Sequence, residues 1–92
     1  MRYEHKKLNL TLVLPDADEL TQGEVERYMA EYRRLSGADN AGKVLRAAIV
    51  AGWVREPDMS VDMVEAMKPA AVRWCAAQID ALYVEVITIP PE

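Results

Sequence analysis

From Leu8 to Leu14, apolar and polar positions alternate. Leu8, Leu10, Leu12 and Leu14 fall on one side, Asn9, Thr11 and Val13 on the other. Period-two alternation predicts a strand over about residues 7–14 with one apolar face. Pro15 ends it, because proline has no N–H for a ladder. After the acidic linker Asp16-Ala17-Asp18-Glu19 the period changes to that of a helix. Val25, Tyr28, Met29, Tyr32 and Leu35 fall on one side of a helix over about residues 22–35, with Glu26, Arg27, Glu31, Arg33 and Arg34 opposite. Thr21-Gln22-Gly23-Glu24 has the spacing of a capping box, in which the Thr hydroxyl accepts from the Glu amide and the Glu carboxylate reaches back. Gly37 stands where a C-terminal cap is expected.

A second helix is expected over about residues 41–51, with Asn40 as its N-cap. Only Lys43 and Arg46 are charged in it, and a helix apolar nearly all round is a buried one. Gly52 stops it, and Glu56-Pro57-Asp58 makes a turn. Ser60 can cap a short third helix over 61–67, and Pro69 suits the first position of a fourth, over 69–86. This last helix has two apolar faces. Val72, Cys75, Ala76, Ile79, Leu82, Tyr83 and Val86 form a broad one. Trp74, Ala77, Ala81 and Val84 form a second, nearly opposite. The residues after it alternate again, so Ile87-Thr88-Ile89 is a candidate partner for the N-terminal strand.

The fold class read from these patterns is mainly α, as one domain over 1–92: four helices and a small β element formed by the N-terminal strand and the C-terminal segment. The expected core is Leu10, Leu12, Val25, Tyr28, Met29, Tyr32, Val44, Leu45, Ala48, Ile49, Ile79, Leu82 and Val86.

Composition narrows the function classes. A chain that is 51% apolar and 28% charged is folded and not disordered. A net charge of −4 disfavours nucleic acid as the partner, since neutralising phosphates calls for a basic excess. The longest apolar run, Ala47–Ala51, falls far short of a membrane span. The charged start, Met1 to Lys7, lacks the apolar run of a signal peptide, and one cysteine cannot close an internal disulfide, so a reducing, cytoplasmic setting is expected.

Candidate chemistry is sparse. Asp16-x-Asp18 opens like a calcium loop, but Leu20 and Arg27 stand where oxygen ligands belong. One histidine and one cysteine, His5 and Cys75, do not make a zinc site, and His5 reads as an exposed terminal residue. The Ser36–Gly42 loop matches no phosphate-binding consensus. No catalytic residue, metal ligand or cofactor site is assigned, and the expectation is a non-enzymatic protein.

Two features call for a partner protein. A lone strand leaves a free edge, lined here by Leu8, Leu10 and Leu12. The minor face of the last helix, Trp74, Ala77, Ala81 and Val84, needs a cover. Burying roughly 300 Å² of it would contribute about 7 kcal/mol before association costs. These seven residues are the candidate interface, and a homo-oligomer is the expected arrangement.

The leucine-alternating strand, the acidic linker, Gly52-Trp53, Met67-Lys68-Pro69-Ala70-Ala71-Val72-Arg73-Trp74 and Ile89-Pro90-Pro91-Glu92 together resemble small proteins of phage and prophage tail-gene regions, the tail assembly chaperones in particular. That resemblance implies a cytoplasmic assembly factor whose partner is a phage structural protein, with no catalytic residues. The alternative is a ribbon-helix-helix regulator, in which the strand pairs with its copy and Asn9, Thr11 and Val13 read bases, with Lys6 and Lys7 near phosphates.

Overall fold

The computed structural model describes residues 1–37 and 39–88. It is mainly α with a small antiparallel sheet at the N-terminus. The sheet is a hairpin of β1 (Arg2–His5) and β2 (Leu10–Val13), with Tyr3 opposite Leu12 and His5 opposite Leu10. The predicted strand is thus shorter than 7–14. Lys6 to Asn9 form the turn that reverses the chain, closed by the Asn9 N–H on the Lys6 carbonyl at 3.1 Å. Asn9 takes a left-handed φ of 50°, which asparagine tolerates better than most residues. The strand's partner is the N-terminal segment and not the C-terminal one. Ile87 and Thr88 belong to the last helix, where the Thr88 hydroxyl donates to the Val84 carbonyl at 2.7 Å; Ile89 lies outside the described residues. An amphipathic Arg-Tyr-Glu-His strand two residues wide on each face was hidden by its charges.

The outer edge of β2 is partly closed as well. The Val13 N–H donates to Glu56 and its carbonyl accepts from Arg55, both at 2.8 Å. The acidic linker winds into a 3-10 turn, Ala17–Glu19, started by the Glu19 carboxylate on the Asp16 N–H at 2.8 Å, and it packs on the last helix.

Helix α1 (Gln22–Arg34) starts at the expected capping box. The Thr21 hydroxyl accepts from the Glu24 N–H at 3.2 Å, and Glu24 accepts from the Thr21 N–H at 3.0 Å. Helix α2 (Asn40–Val50) is capped by Asp39 and not by Asn40. The Asp39 carboxylate takes the Gly42 N–H at 2.9 Å, which leaves the Asn40 side chain to accept from the Tyr32 hydroxyl. The third predicted helix is a 3-10 helix, Val61–Ala66, rather than an α-helix over 61–67. Helix α3 (Pro69–Thr88) runs two residues beyond 86.

Helix α2 is central and packs on both α1 and α3. Leu45, Ala47 and Ala48 of α2, Cys75 and Ile79 of α3 and Leu12 of β2 have no exposed surface. Every residue of the expected core is buried or packed against the buried cluster. Leu45 is fully buried, so Leu45→Asp would place an unpaired charge in the core and unfold the domain, whereas Ile49 is half-buried.

Candidate protein interface and an aromatic pocket

The broad face of α3 is the buried one. Val72, Cys75, Ala76, Ile79 and Leu82 are buried, and Tyr83 and Val86 pack at the margin. On the minor face, Ala77, Ala81 and Val84 are exposed, Val84 to 54%. The line continues to Ile87, 59% exposed. Steps of four, three and three residues keep Ala77, Ala81, Val84 and Ile87 adjacent along one side of a helix. Glu85 borders the stripe on one side, and Asp80, three residues after Ala77 and four before Val84, lies between Val84 and Ile87 on the other.

Trp74 departs from its expected place on that open face. It is half-buried and packs against the core margin, because the hairpin reaches α3. The His5 ring meets Trp74 edge-on, at 5.6 Å between centroids and 88° between planes. His5 is therefore not an exposed terminal residue. It is half-buried, and its Nδ1 accepts from the Leu8 N–H at 3.2 Å. The strand residues are also placed differently from the expectation of a free edge. Leu12 is fully buried, Leu10 packs against the core, and Leu8 sits half-buried in the turn. With β1 alongside and Arg55-Glu56 on Val13, Leu8, Leu10 and Leu12 face the protein's own core and turn, and the open surface reduces to the α3 stripe.

His5 approaches the neighbour of Cys75 in sequence, yet the thiol itself has no exposed surface. Burial pushes it up to about 11, the opposite of an activated nucleophile. At the start of α2, where an anion would approach a helix N-terminus, the Asp39 carboxylate already holds the position. Among the described residues, no group of three or more His, Cys, Asp or Glu is arranged to hold a metal ion.

A second region had no counterpart in the pattern reading. Trp53 is fully buried and stacks on Tyr28 at 4.3 Å and 17°. Its indole N–H donates to the Glu24 carbonyl at 3.2 Å. Tyr83 approaches Tyr28 at 5.4 Å, and Tyr32 approaches it at 6.4 Å. The local cause is the end of α2. Gly52, at φ 79°, lets the Trp53 N–H reach the Ala48 carbonyl (2.9 Å) while the Gly52 N–H reaches Ile49 (3.1 Å). This is a Schellman motif, and its last residue commonly makes a hydrophobic contact back to the helix. A glycine after an apolar helix followed by tryptophan was the signal for a buried Trp53.

Beyond the stacked rings lies a cavity of about 410 Å³, lined by Tyr28, Met29, Tyr32, Arg33, Asn40, Val44, Asp80 and Tyr83. Burial, followed by the negative field of Asp80, raises the Tyr28 phenol and keeps it protonated. Partial desolvation also raises Asp80 above its ordinary value of 3.8. Among the described residues Asp80 has no ion-pair partner. The Lys43 ammonium lies 4.4 Å from the centre of the Tyr32 ring.

No family model, curated protein or solved structure matches the chain.

Proposed function

We propose that this protein is a non-catalytic protein-binding domain, an assembly factor that docks through the outer face of α3. The observation that supports this reading is the exposed run Ala77-Ala81-Val84, with Glu85 on one side and Asp80 on the other and Ile87 beyond Asp80. Apolar centres with polar rims are how protein interfaces are built. Small residues at Ala77 and Ala81 let a partner backbone come close, while Val84 and Ile87 supply the side chains to bury. The first partner expected is a second copy. The resemblance to phage tail assembly chaperones extends the reading to a phage structural protein as the physiological partner.

The stripe is modest, since Trp74 is already half covered by His5. Covering the exposed halves of Val84 and Ile87 contributes about 1 kcal/mol each, against several kcal/mol of association cost. Self-association is therefore weak and concentration-dependent. Light scattering over a concentration series should give an average mass that rises above 10.3 kDa, and Val84→Glu should abolish the rise without changing the melting temperature. A 10.3 kDa monomer at every concentration, alike for both proteins, would remove a second copy as the partner of this face. No observation favours the DNA-regulator alternative: the strand it would share with its copy lies in a hairpin with β1.

A further inference from the structure

We propose that the pocket between α1, α2 and α3 is a binding site for an organic cation, an alkylammonium head seated among Tyr28, Tyr32 and Tyr83 with Asp80 as its counter-charge. The pocket shares Asp80 with the edge of the α3 stripe, but its other lining residues, on α1, at the start of α2 and at Tyr83, lie outside that stripe.

Three kinds of observation meet there. The first is shape. A cavity of about 410 Å³ is within the range that holds a small organic ligand, and three tyrosine rings from two helices contribute to its lining. Tyr28 and Tyr32 come from consecutive turns of α1, and Tyr83 from α3. Tyr28 cannot move aside, because its ring is stacked on the fully buried Trp53. Aromatic faces carry negative potential at their centres and attract cations, most strongly where water is excluded. The protein uses this attraction already: the Lys43 ammonium sits over Tyr32.

The second is charge. Asp80 lines the pocket and is paired with no cation among the described residues. A partly desolvated carboxylate without a partner is stabilised by a cation that enters beside it. The third is the set of polar atoms. The Asn40 oxygen is taken by Tyr32, and the Tyr28 side chain, which lines the cavity, makes no hydrogen bond among the described residues. Acceptor oxygens and ring faces converge on one space. Two cations oppose it: Lys43, already 4.4 Å from the centre of the Tyr32 ring, and Arg33. Arg33 lines the same pocket from α1, exposed and without an ion pair among the described residues, and a like charge at the rim weakens cation binding. An anionic ligand would have Arg33 in its favour but Asp80 and three ring faces against it.

Methylation does not weaken such a site, because the attraction is to a diffuse positive charge and not to N–H donors. The ligand chemistry is shared by free small amines and by lysine side chains of a partner, and the test separates them. The protein carries two tryptophans, so the Trp74→Phe variant leaves Trp53, stacked on Tyr28, as the sole reporter. Fluorescence titration with butyltrimethylammonium chloride should give a saturable change in the millimolar range. The uncharged isostere of the same shape, 2,2-dimethylhexane, is too insoluble for titration, so 3,3-dimethylbutan-1-ol against choline provides the matched pair. Choline should bind about tenfold tighter than its neutral carbon analogue. Asp80→Asn, at an exposed position, should weaken choline about tenfold and leave the alcohol unchanged, and Arg33→Gln should tighten choline. A short peptide with one trimethyllysine that binds tighter than choline assigns the site to a protein side chain, and equal affinity assigns it to a free amine. Equal binding of choline and the alcohol, or no saturable change with either cation, would overturn the proposal.

Discussion

Trp53 and Trp74 are the two tryptophans of the chain, and the fold uses them in opposite ways. Trp53 lies outside every periodic segment, in the loop after α2, and is the largest fully buried side chain. It is held by stacking on Tyr28, by its indole N–H on the Glu24 carbonyl, and by the Schellman turn that delivers it. Trp74 lies in the middle of the most regular helix, yet it stays half-buried with one aromatic neighbour, His5, from the hairpin. Position in a periodic pattern therefore does not rank the two. What ranks them is how many separate parts of the chain converge on each. Trp53 joins α1, the end of α2 and α3, whereas Trp74 joins α3 to the tip of the hairpin.

The largest expected effect follows from that convergence. Trp53→Ala removes a fully buried ring from a packed site and should cost about 3–5 kcal/mol. Total stability for a domain of this size is only about 5–14 kcal/mol, so urea unfolding should show a midpoint moved most of the way to zero. A midpoint close to that of the parent would mean that the aromatic cluster is not the centre of the core.

Trp74→Ala should be much milder, about 1 kcal/mol, because the ring is partly solvated already. The His5 contact can be isolated by a double-mutant cycle with His5→Ala. An edge-on aromatic pair predicts a coupling of about 0.5–1 kcal/mol. A coupling of zero, with additive single effects in denaturant titrations, would detach the hairpin tip from α3 and restore Trp74 to the open face.

The same contrast separates what could be read in the sequence from what could not. Local chemistry was legible. The Thr21-Glu24 box starts α1 where its spacing puts it, Gly52 follows α2 with the left-handed φ of 79°, and the broad face of α3 is the buried one; α1, however, ends at Arg34 with Leu35 as its C-cap, two residues before Gly37. Contacts between distant segments were not. Strand pairing depends on which edge finds which: the alternating Ile87-Thr88 segment continues α3, and β2 pairs with Arg2–His5 instead. The placement of Leu8, Leu10 and Leu12 followed from the same cause: pairing with β1 takes up the backbone edge of β2, while packing on the helices buries Leu12 fully and Leu10 in part, and Leu8 falls in the turn. Asp39 and not Asn40 caps α2, and the Asn40 side chain accepts instead from Tyr32, a residue of the previous helix that no local rule consults. The tyrosine pocket was invisible for the same reason: Tyr28 and Tyr32 read as core, and only the approach of α3 adds Tyr83 and Asp80 to them.

The smallest effect concerns Glu24, whose backbone accepts from Trp53 and whose side chain ties the start of α1 to the loop beyond α2. Its carboxylate accepts from the Thr21 N–H at 3.0 Å and lies 3.4 Å from the Arg55 guanidinium. The hydrogen bond from the Thr21 backbone, aided by the Thr21 hydroxyl and by Arg55, holds the Glu24 carboxyl below its ordinary value of 4.5, with partial burial opposing the shift. A folded-state value below the unfolded one means that the ionised form is stabilised by folding. Its contribution is fully present above pH 4.5 and is lost as pH falls through the lowered folded value. Glu24→Gln keeps the capping geometry and removes the charge, so it isolates this term. Arg55 is well exposed, so screening limits the difference to a few tenths of a kcal/mol at neutral pH. Thermal melts of the parent and the Gln variant should therefore differ slightly at neutral pH, differ less in added salt, and converge once the carboxylate is protonated. A gap that stays constant down to acidic pH would show that the glutamine disturbs the cap itself, and that charge at Glu24 contributes nothing to holding the Trp53 region in place.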